Sequence, residues 1–312
     1  MKDGDMKMNN IKWLESNQIQ IEPPKRPKKI SGTKFGAILG VNPWSTPFEQ
    51  WCAITRTWEK PYEDTIYTLA GKVIESKQAE YMEKSYGMEL IRPTDIYGSD
   101  PFKATYGDFF KENKLFSGMW DYLGVDENGT VDTVLEMKTT KRIEDWQNDA
   151  PEYYALQAAL YAYLLGVDNV VMVASFLEEK DYADPSKFTP NVKNTITVEF
   201  KVSERYPDFE RMIAEVTSWW GEYVTGGISP VYDEKKDADI LAALRTHNLT
   251  PDTDINALVS EAEGLKKEVD TAVSAIADKE KRLDEINKII KEHAMKQFRP
   301  GDKKVEVKGA TY

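Results

Sequence analysis

The chain has 312 residues, 41% hydrophobic and 11% aromatic, with a net charge of −12, which is apolar matter enough for a sizeable core but not a basic surface that coats nucleic acid non-specifically. A single Cys52 excludes an intrachain disulfide framework or a thiolate zinc site, and His247 and His293 leave little room for a histidine-based triad or metal site. The longest nearly unbroken apolar run, "VVMVASFL" at 170–177, is far too short to span a bilayer, so the expectation is a soluble cytoplasmic protein without a membrane partner.

In chain order, "PPKRPKKISGTK" at 23–34 gathers Lys25, Arg26, Lys28, Lys29 and Lys34 among three prolines. It reads either as a solvated arm or as a phosphate clamp. Then come a short helix, a turn at Gly40 to Pro43 and a second amphipathic helix. Residues 67–87 have helical periodicity through Leu69, Val73, Ile74, Tyr81 and Met82, with Gly87 as C-cap. "MELIRPTDIYG" reads as a strand. A hairpin follows over 116–140. "PEYYALQAALYAYLLG" at 151–166 reads as an amphipathic helix with an apolar stripe of Tyr153, Leu156, Leu160, Tyr163 and Leu164, opened by proline and closed by glycine. "NVVMVASFLEE" is a buried strand and "TITVEFKVS" a further one, followed by the helix of "ERYPDFERMIAEVTSWWGEYVTGG".

This order predicts an α/β (α+β) fold, a central mixed sheet flanked by helices. Three parts are expected: a domain over 1–231, a polar connector over 232–254 with at most one short helix, and a C-terminal part over 255–312. In the last, Leu265, Val269, Ala272, Ile276, Leu283, Ile286 and Ile290 recur at spacings of four and three, interrupted by Lys279, in a coiled-coil-like helix of about 40 residues. Such a helix packs back onto a core or onto another copy. "KKVEVKG" near the end is a possible strand.

The hairpin, "FSGMWDYLGVDENGTVDTVLEMKTT", carries the chemistry. Asn128-Gly129 suits a two-residue type I′ turn, which sets Glu127 opposite Thr130 and, counting back, Asp121 opposite Glu136. Directly opposed Cβ atoms lie roughly 4.5 to 5.5 Å apart, and two carboxylates so placed repel unless a cation lies between them. Oxygen ligands at about 2.0 to 2.1 Å suit Mg²⁺. On the second strand Val134, Glu136 and Lys138 share one face and Thr133, Leu135 and Met137 the other, so Lys138 stands beside the acid pair. A hard cation with a neighbouring ammonium suits phosphodiester hydrolysis. The Glu-x-Lys tripeptide alone is weak, because Glu75-Ser-Lys77, Glu178-Glu-Lys180 and Glu306-Val-Lys308 also occur. The competing reading is a solvent-facing strand with an ordinary salt bridge, and a bulge at Gly124 would slip the pairing by one.

With these residues in hand, the chain resembles the PD-(D/E)xK nuclease superfamily and, within it, the YqaJ-type phage recombinases that include lambda exonuclease, over most of 25–230. "GTKFGAILGVNPW" is similar to the family's N-terminal signature and "GKVIESKQAEY" to its Gly-x-x-x-Glu helix. "SGMWDYL" is similar to its Asp strand, "LEMKTT" to its Glu-x-Lys strand, "YYALQAALYAYLLG" to its Tyr/Gln helix and "WWGEYVTGGISP" to its closing segment. The resemblance implies a restriction-endonuclease-like core, Asp121, Glu136 and the Met137 backbone carbonyl as metal ligands, and Lys138 as the catalytic lysine. It further implies Glu75 at a second metal or its water, and Tyr154 and Gln157 as supports of the site. Arg26 and Thr33, with Lys28 nearby, are the nearest candidates for holding a DNA 5′-phosphate. Read from the residues alone, Glu75 is an acid on an amphipathic helix, and Gln157 suits a partly buried support or a core edge. Trp120 stands where the family more often has a small residue or proline, so strand entry and substrate clearance are expected to differ.

The implied function is a Mg²⁺-dependent exonuclease, with Mn²⁺ as substitute, acting 5′ to 3′ on double-stranded DNA ends for phage-type recombination. The implied partners are a single-strand annealing protein and further copies of the chain in a ring, often a trimer. Alternatives are a structure- or site-specific endonuclease on the same fold, or a non-catalytic DNA-end-binding module.

Overall fold

The computed structural model describes residues 11–246, 253–304, 306–308 and 310–311. His247 and the connector residues 248–252 lie outside them. The chain divides into two compact units, the first ending at Arg245 and the second beginning at Thr246.

The first unit opens with a hairpin of β1 (Lys12–Leu14) and β2 (Gln18–Gln20), followed by β3 (Ile30–Ser31), α1 (Gly32–Ile38) and α2 (Pro47–Thr55). Thr46 caps α2 by accepting from the Glu49 amide at 3.0 Å, and Pro47 supplies the first helical φ without losing a needed donor. Next come α3 (Ile66–Tyr86), β4 (Leu90–Ile91), α4 (Pro93–Tyr97), α5 (Pro101–Thr105), β5 (Phe116–Ser117), β6 (Tyr122–Val125) and β7 (Val131–Thr140). Thr65 and Thr68 form a reciprocal cap at the start of α3, and Gly87 closes it at φ 66°. The rest is α6 (Glu152–Leu165), β8 (Asn169–Phe176), α7 (Glu179–Ala183), β9 (Thr195–Lys201), α8 (Val202–Arg205), α9 (Phe209–Trp219), a π-helical turn over Trp220–Thr225, and α10 (Ala238–Arg245).

Five strands make the main sheet in the order β4-β6-β7-β8-β9. Its centre, β7 against β8, is parallel, with α6 in the connection that a parallel pair requires, and the other pairs are antiparallel. The mixed sheet flanked by helices is the architecture the element order predicts. One face, with Leu123, Val134, Val170, Met172 and Ala174, packs on α6 and α1, whereas Tyr122, Leu135, Met137, Val171 and Val173 pack on Ala79 and Met82 of α3.

Several elements differ from the sequence reading. The buried line of α3 is Ala70, Ile74, Gln78, Ala79 and Met82, whereas Leu69 and Val73 are exposed. Ile74 and Met82 keep their expected places, while Ala70, Gln78 and Ala79 take the packed positions in place of Leu69, Val73 and Tyr81. α6 is buried continuously from Ala155 to Ala162, not along a stripe, because sheet, α1 and the later helices enclose it. The expected strand after Gly87 is cut to Leu90–Ile91 when Pro93 starts α4. Tyr232, Ile240, Leu241 and Leu244 join the main core, so the polar stretch before Arg245 is anchored in the first unit.

In the second unit α11 (Thr253–Lys296) is 44 residues long, with Leu265, Val269, Ile276 and Leu283 each more than half exposed. β10 (Glu306–Val307) and β11 (Ala310–Thr311) pair after it. No helix among the described residues is long and apolar enough to cross a membrane.

Candidate active site

The hairpin reaches the expected register by another route. Asn128 does not take positive φ, so the turn is not type I′. Instead the Asp126 carbonyl accepts from Gly129 (φ 76°) and the Asp126 amide donates to the Thr130 carbonyl, a three-residue loop over 127–129. The Asp126 carboxylate accepts from the amides of Asn128 and Thr130, which holds its pKa below the usual value. That loop pairs Val125 with Val131, and a bulge at Asp132 then restores Gly124↔Thr133, Leu123↔Val134 and Tyr122↔Leu135. Asp121 lies one step past the last pair, beside Glu136.

Four charged groups meet there. Lys138 Nζ lies 2.7 Å from Glu136 Oε2 and 3.9 Å from Asp121 Oδ2. Asp121 Oδ2 also accepts from the Met137 amide at 2.8 Å, which ties the end of β6 to β7. From α6, Gln157 Nε2 donates to Glu136 Oε2 at 2.9 Å, and the Tyr154 ring centre lies 5.3 Å from Lys138 Nζ. Glu75, on α3, is close enough for its carboxyl to be perturbed by Asp121 and Lys138.

Burial sets the electrostatics. Glu136 is fully buried, and desolvation, then the charge of Asp121, push its carboxyl up to about 8 against the pull of Lys138. Burial and Asp121 likewise bring Glu75 up to about 7. Asp121 is raised by burial despite Lys138 and the Met137 amide. Burial alone would lower the Lys138 ammonium, but Glu136 and Asp121 overrule it and hold the proton more tightly than usual.

The donor set fits a hard cation. Glu136 Oε1 is buried without a hydrogen-bond partner while Oε2 carries both Lys138 and Gln157, an arrangement that leaves one carboxylate oxygen for a metal ion. Among the described residues no three His, Cys, Asp or Glu side chains already stand as a preformed metal cluster, so the fit rests on this oxygen and on the raised acids around it.

The structure therefore brings together Asp121, Glu136, Lys138, Glu75, Tyr154 and Gln157. The Met137 side chain is buried on the α3 face. Thr33, exposed, follows Gly32, where a Cβ would stand within 3 Å of the Gln157 and Tyr161 side chains. Arg26 and Lys28 lie elsewhere, lining two surface hollows that meet at Arg56 and include none of the site acids. Arg26 accepts from Arg56 Nε through its carbonyl, and Lys28 is ion-paired with Glu59. Trp120 is buried against the rings of Phe109 and Tyr97.

Three features escape sequence reasoning. Gln78, fully buried one turn after Glu75, donates to the Lys138 carbonyl at 2.9 Å and to Ser175 Oγ at 3.0 Å. Tyr161 is buried beneath the acids, its hydroxyl pKa raised by burial and by Glu136. Gly32 and Gly118 make room for that ring, since a Cβ on either would stand 2.7 Å from Gln157 Cγ or 2.2 Å from Tyr161 Cε1. The spacing of Glu75 and Gln78 on one helical face was the available signal.

The chain is similar to several known proteins. The chain is 26% identical over 247 residues to the uncharacterised protein MG373 of Mycoplasma genitalium, covering 66% of this chain and 84% of that one. It is 26% identical over 222 residues to YqaJ of Bacillus subtilis, covering 69% of this chain and 59% of the relative. A phage-related exonuclease from Haemophilus somnus superposes with a TM-score of 0.46 at 15% identity, over 64% of this chain and 94% of the other. The alkaline exonuclease from Laribacter hongkongensis gives 0.40 at 14% identity, over 77% and 96%. Residues 24–168, which contain every member of the acid–lysine cluster, match the family model described as a YqaJ-like viral recombinase domain.

Proposed function

We propose that this protein is a divalent-metal-dependent deoxyribonuclease that degrades linear double-stranded DNA from its ends, 5′ to 3′, and leaves single strands for phage-type recombination. The observation that carries the reading is the buried, unpartnered Glu136 Oε1 beside Asp121 and Lys138. The resemblance to YqaJ-type recombinases and the family match support the substrate class and the polarity.

Mg²⁺, or Mn²⁺ in its place, held by Asp121, Glu136 and the Met137 carbonyl, with Glu75 at a second ion or its water, would supply Lewis-acid stabilisation of the phosphate and a lowered water pKa. The chain's own groups do the remainder. Lys138, beside both acids, serves as a donor to a phosphate oxygen or orients the attacking water. Glu75, on α3 next to the acid pair, is the carboxylate placed to accept the proton of that water. Gln157 holds Glu136 by a hydrogen bond, and the Tyr154 ring stands beside the Lys138 ammonium.

We further read the chain as a ring-forming homo-oligomer, with α11 as a coiled-coil element and a single-strand annealing protein as partner. The test uses linear duplexes labelled at either 5′ or 3′ ends, with 5′-phosphate or 5′-hydroxyl, in Mg²⁺ or EDTA. Metal-dependent mononucleotide release from the 5′ end, favoured by phosphate, is expected. Cleavage of closed circular DNA at the same rate would replace the exonuclease by an endonuclease, and intact duplex with either metal would refute the nuclease reading.

A further inference from the structure

The loop between α1 and α2 carries an aromatic that neither the fold nor the acid cluster uses. Trp44 is 61% exposed, and the Arg142 guanidinium lies 4.4 Å from its ring centre. Its place is fixed from both sides. The Asn42 side chain accepts from the Trp44 amide at 2.9 Å, and Thr46, two residues on, caps α2. Arg142 is fixed by its own amide, which donates to Thr140 Oγ1 at 3.0 Å at the exit of β7.

Two hollows flank the Trp44–Arg142 pair, of about 230 and 320 Å³, and both are bordered by Tyr153 and Asp145. The smaller also reaches Thr140 and Tyr154. Tyr154 faces Lys138 Nζ at 5.3 Å and Tyr153 at 4.3 Å between ring centres, so one aromatic wall runs from the exposed indole to the lysine.

The charge inside selects the ligand. Asp145 lies in both linings with Arg142 3.9 Å from it, and the larger hollow adds Glu152, so neither carries the net positive charge that a phosphate would need. A flat, neutral, polarisable group suits them. Lys141, the adjacent cation, provides the contrast: it is paired with Glu179 at 2.5 Å and lies 5.3 Å from the centres of the Tyr67 and Tyr182 rings, which already pack edge to face on each other.

We infer that Trp44, backed by Arg142 and walled by Tyr153 and Tyr154, is a stacking site for one unpaired nucleobase of the strand whose phosphate reaches Lys138. This rests on the nuclease reading and adds to it a grip on the separated strand. Stacking on an aromatic serves any base, as an enzyme that digests without regard to sequence requires.

The test measures binding by fluorescence anisotropy in EDTA, so that nothing is cut, with a duplex bearing a short 5′ single-stranded overhang and a blunt duplex. Trp44→Ala is expected to weaken binding of the overhang duplex by roughly five- to a hundred-fold, the span of one aromatic–base stack, and the blunt duplex less. Trp44→Phe restores most of the loss. Abasic residues in the overhang erase the difference between wild type and Trp44→Ala. Equal loss on normal and abasic overhangs, or no loss on either, overturns the stacking site while wild-type binding leaves the nuclease reading standing. Wild-type protein that binds neither duplex overturns both.

Discussion

Glu136 sits fully buried beside Asp121 and Lys138, while Leu265, Val269, Ile276 and Leu283 on α11 stand more than half exposed. The first region places charge where a core would place hydrocarbon, and the second places hydrocarbon where a surface would place charge. Both arrangements cost stability in the chain alone, and both are offset only by something that binds. The chemistry of each points to a different binder: buried like charges with a spare oxygen suit a cation and a phosphate, and an apolar line at spacings of four and three suits another helix.

Lys138→Ala is the strongest way to break the contrast. If the ammonium serves phosphate chemistry, initial rates on linear duplex fall by about 10² to 10³ or more. Full retained activity would make Lys138 only a counter-ion for Glu136.

Glu136→Gln separates function from stability. Hydrolysis is lost, yet the metal-free protein becomes more stable above neutral pH because one fewer carboxylate charge need be buried, Asp121 remaining as the partner of Lys138. Each kcal/mol gained appears as roughly 2–4 °C in the thermal midpoint for a unit of this size. A lower midpoint at about pH 8 would show that the charged acid is stabilising.

The same reasoning fixes a pH dependence. Glu136 is raised to about 8 and Glu75 to about 7 from an ordinary value of 4.5. A carboxyl whose folded pKa is raised favours the folded state when protonated, so that stability is present at low pH and is lost as pH rises from about 4.5 to about 8. Metal-free protein should therefore melt at falling temperature between about pH 5 and pH 8, with a slope of at most about 1.4 kcal/mol per unit for each such proton. Saturating Mg²⁺ should flatten the slope. A rising midpoint in EDTA across that window would contradict the buried-acid account.

On the other side of the comparison the effect is smallest. Ile276→Asp on α11 should change unfolding by less than about 0.5 kcal/mol, as an exposed substitution does, and leave the rate on DNA unchanged. It should lower the mass measured by sedimentation equilibrium. Unchanged mass would remove the second copy as the stripe's partner.

Much of the site was legible because strand alternation is rigid: once β7 is recognised, Val134, Glu136 and Lys138 share a face whatever the rest of the chain does. Asp121 followed from the hairpin, although the turn that delivers it is three residues long. What stayed hidden depends on approach distance and long-range pairing. Nothing in the pattern around Gly32 and Gly118 marks a packing role until Tyr161 occupies the space beside them. Gln78 reads as a surface amide until α3 meets the carbonyl of Lys138. The β1–β2 hairpin and the parallel β3–β5 pair went unread, since two- and three-residue strands carry almost no periodic signal.

The compensating loop and bulge of the hairpin have a consequence for how this segment can change over time. The third loop residue and the extra residue at Asp132 act like an insertion and its suppressor in a reading frame: each alone shifts everything downstream, and together they cancel. Removal of one residue from the loop, or of Asp132 alone, would turn Glu136 and Lys138 to the opposite face. Length variants of this hairpin that keep their chemistry should therefore arise in pairs, one change at the tip and one at the bulge.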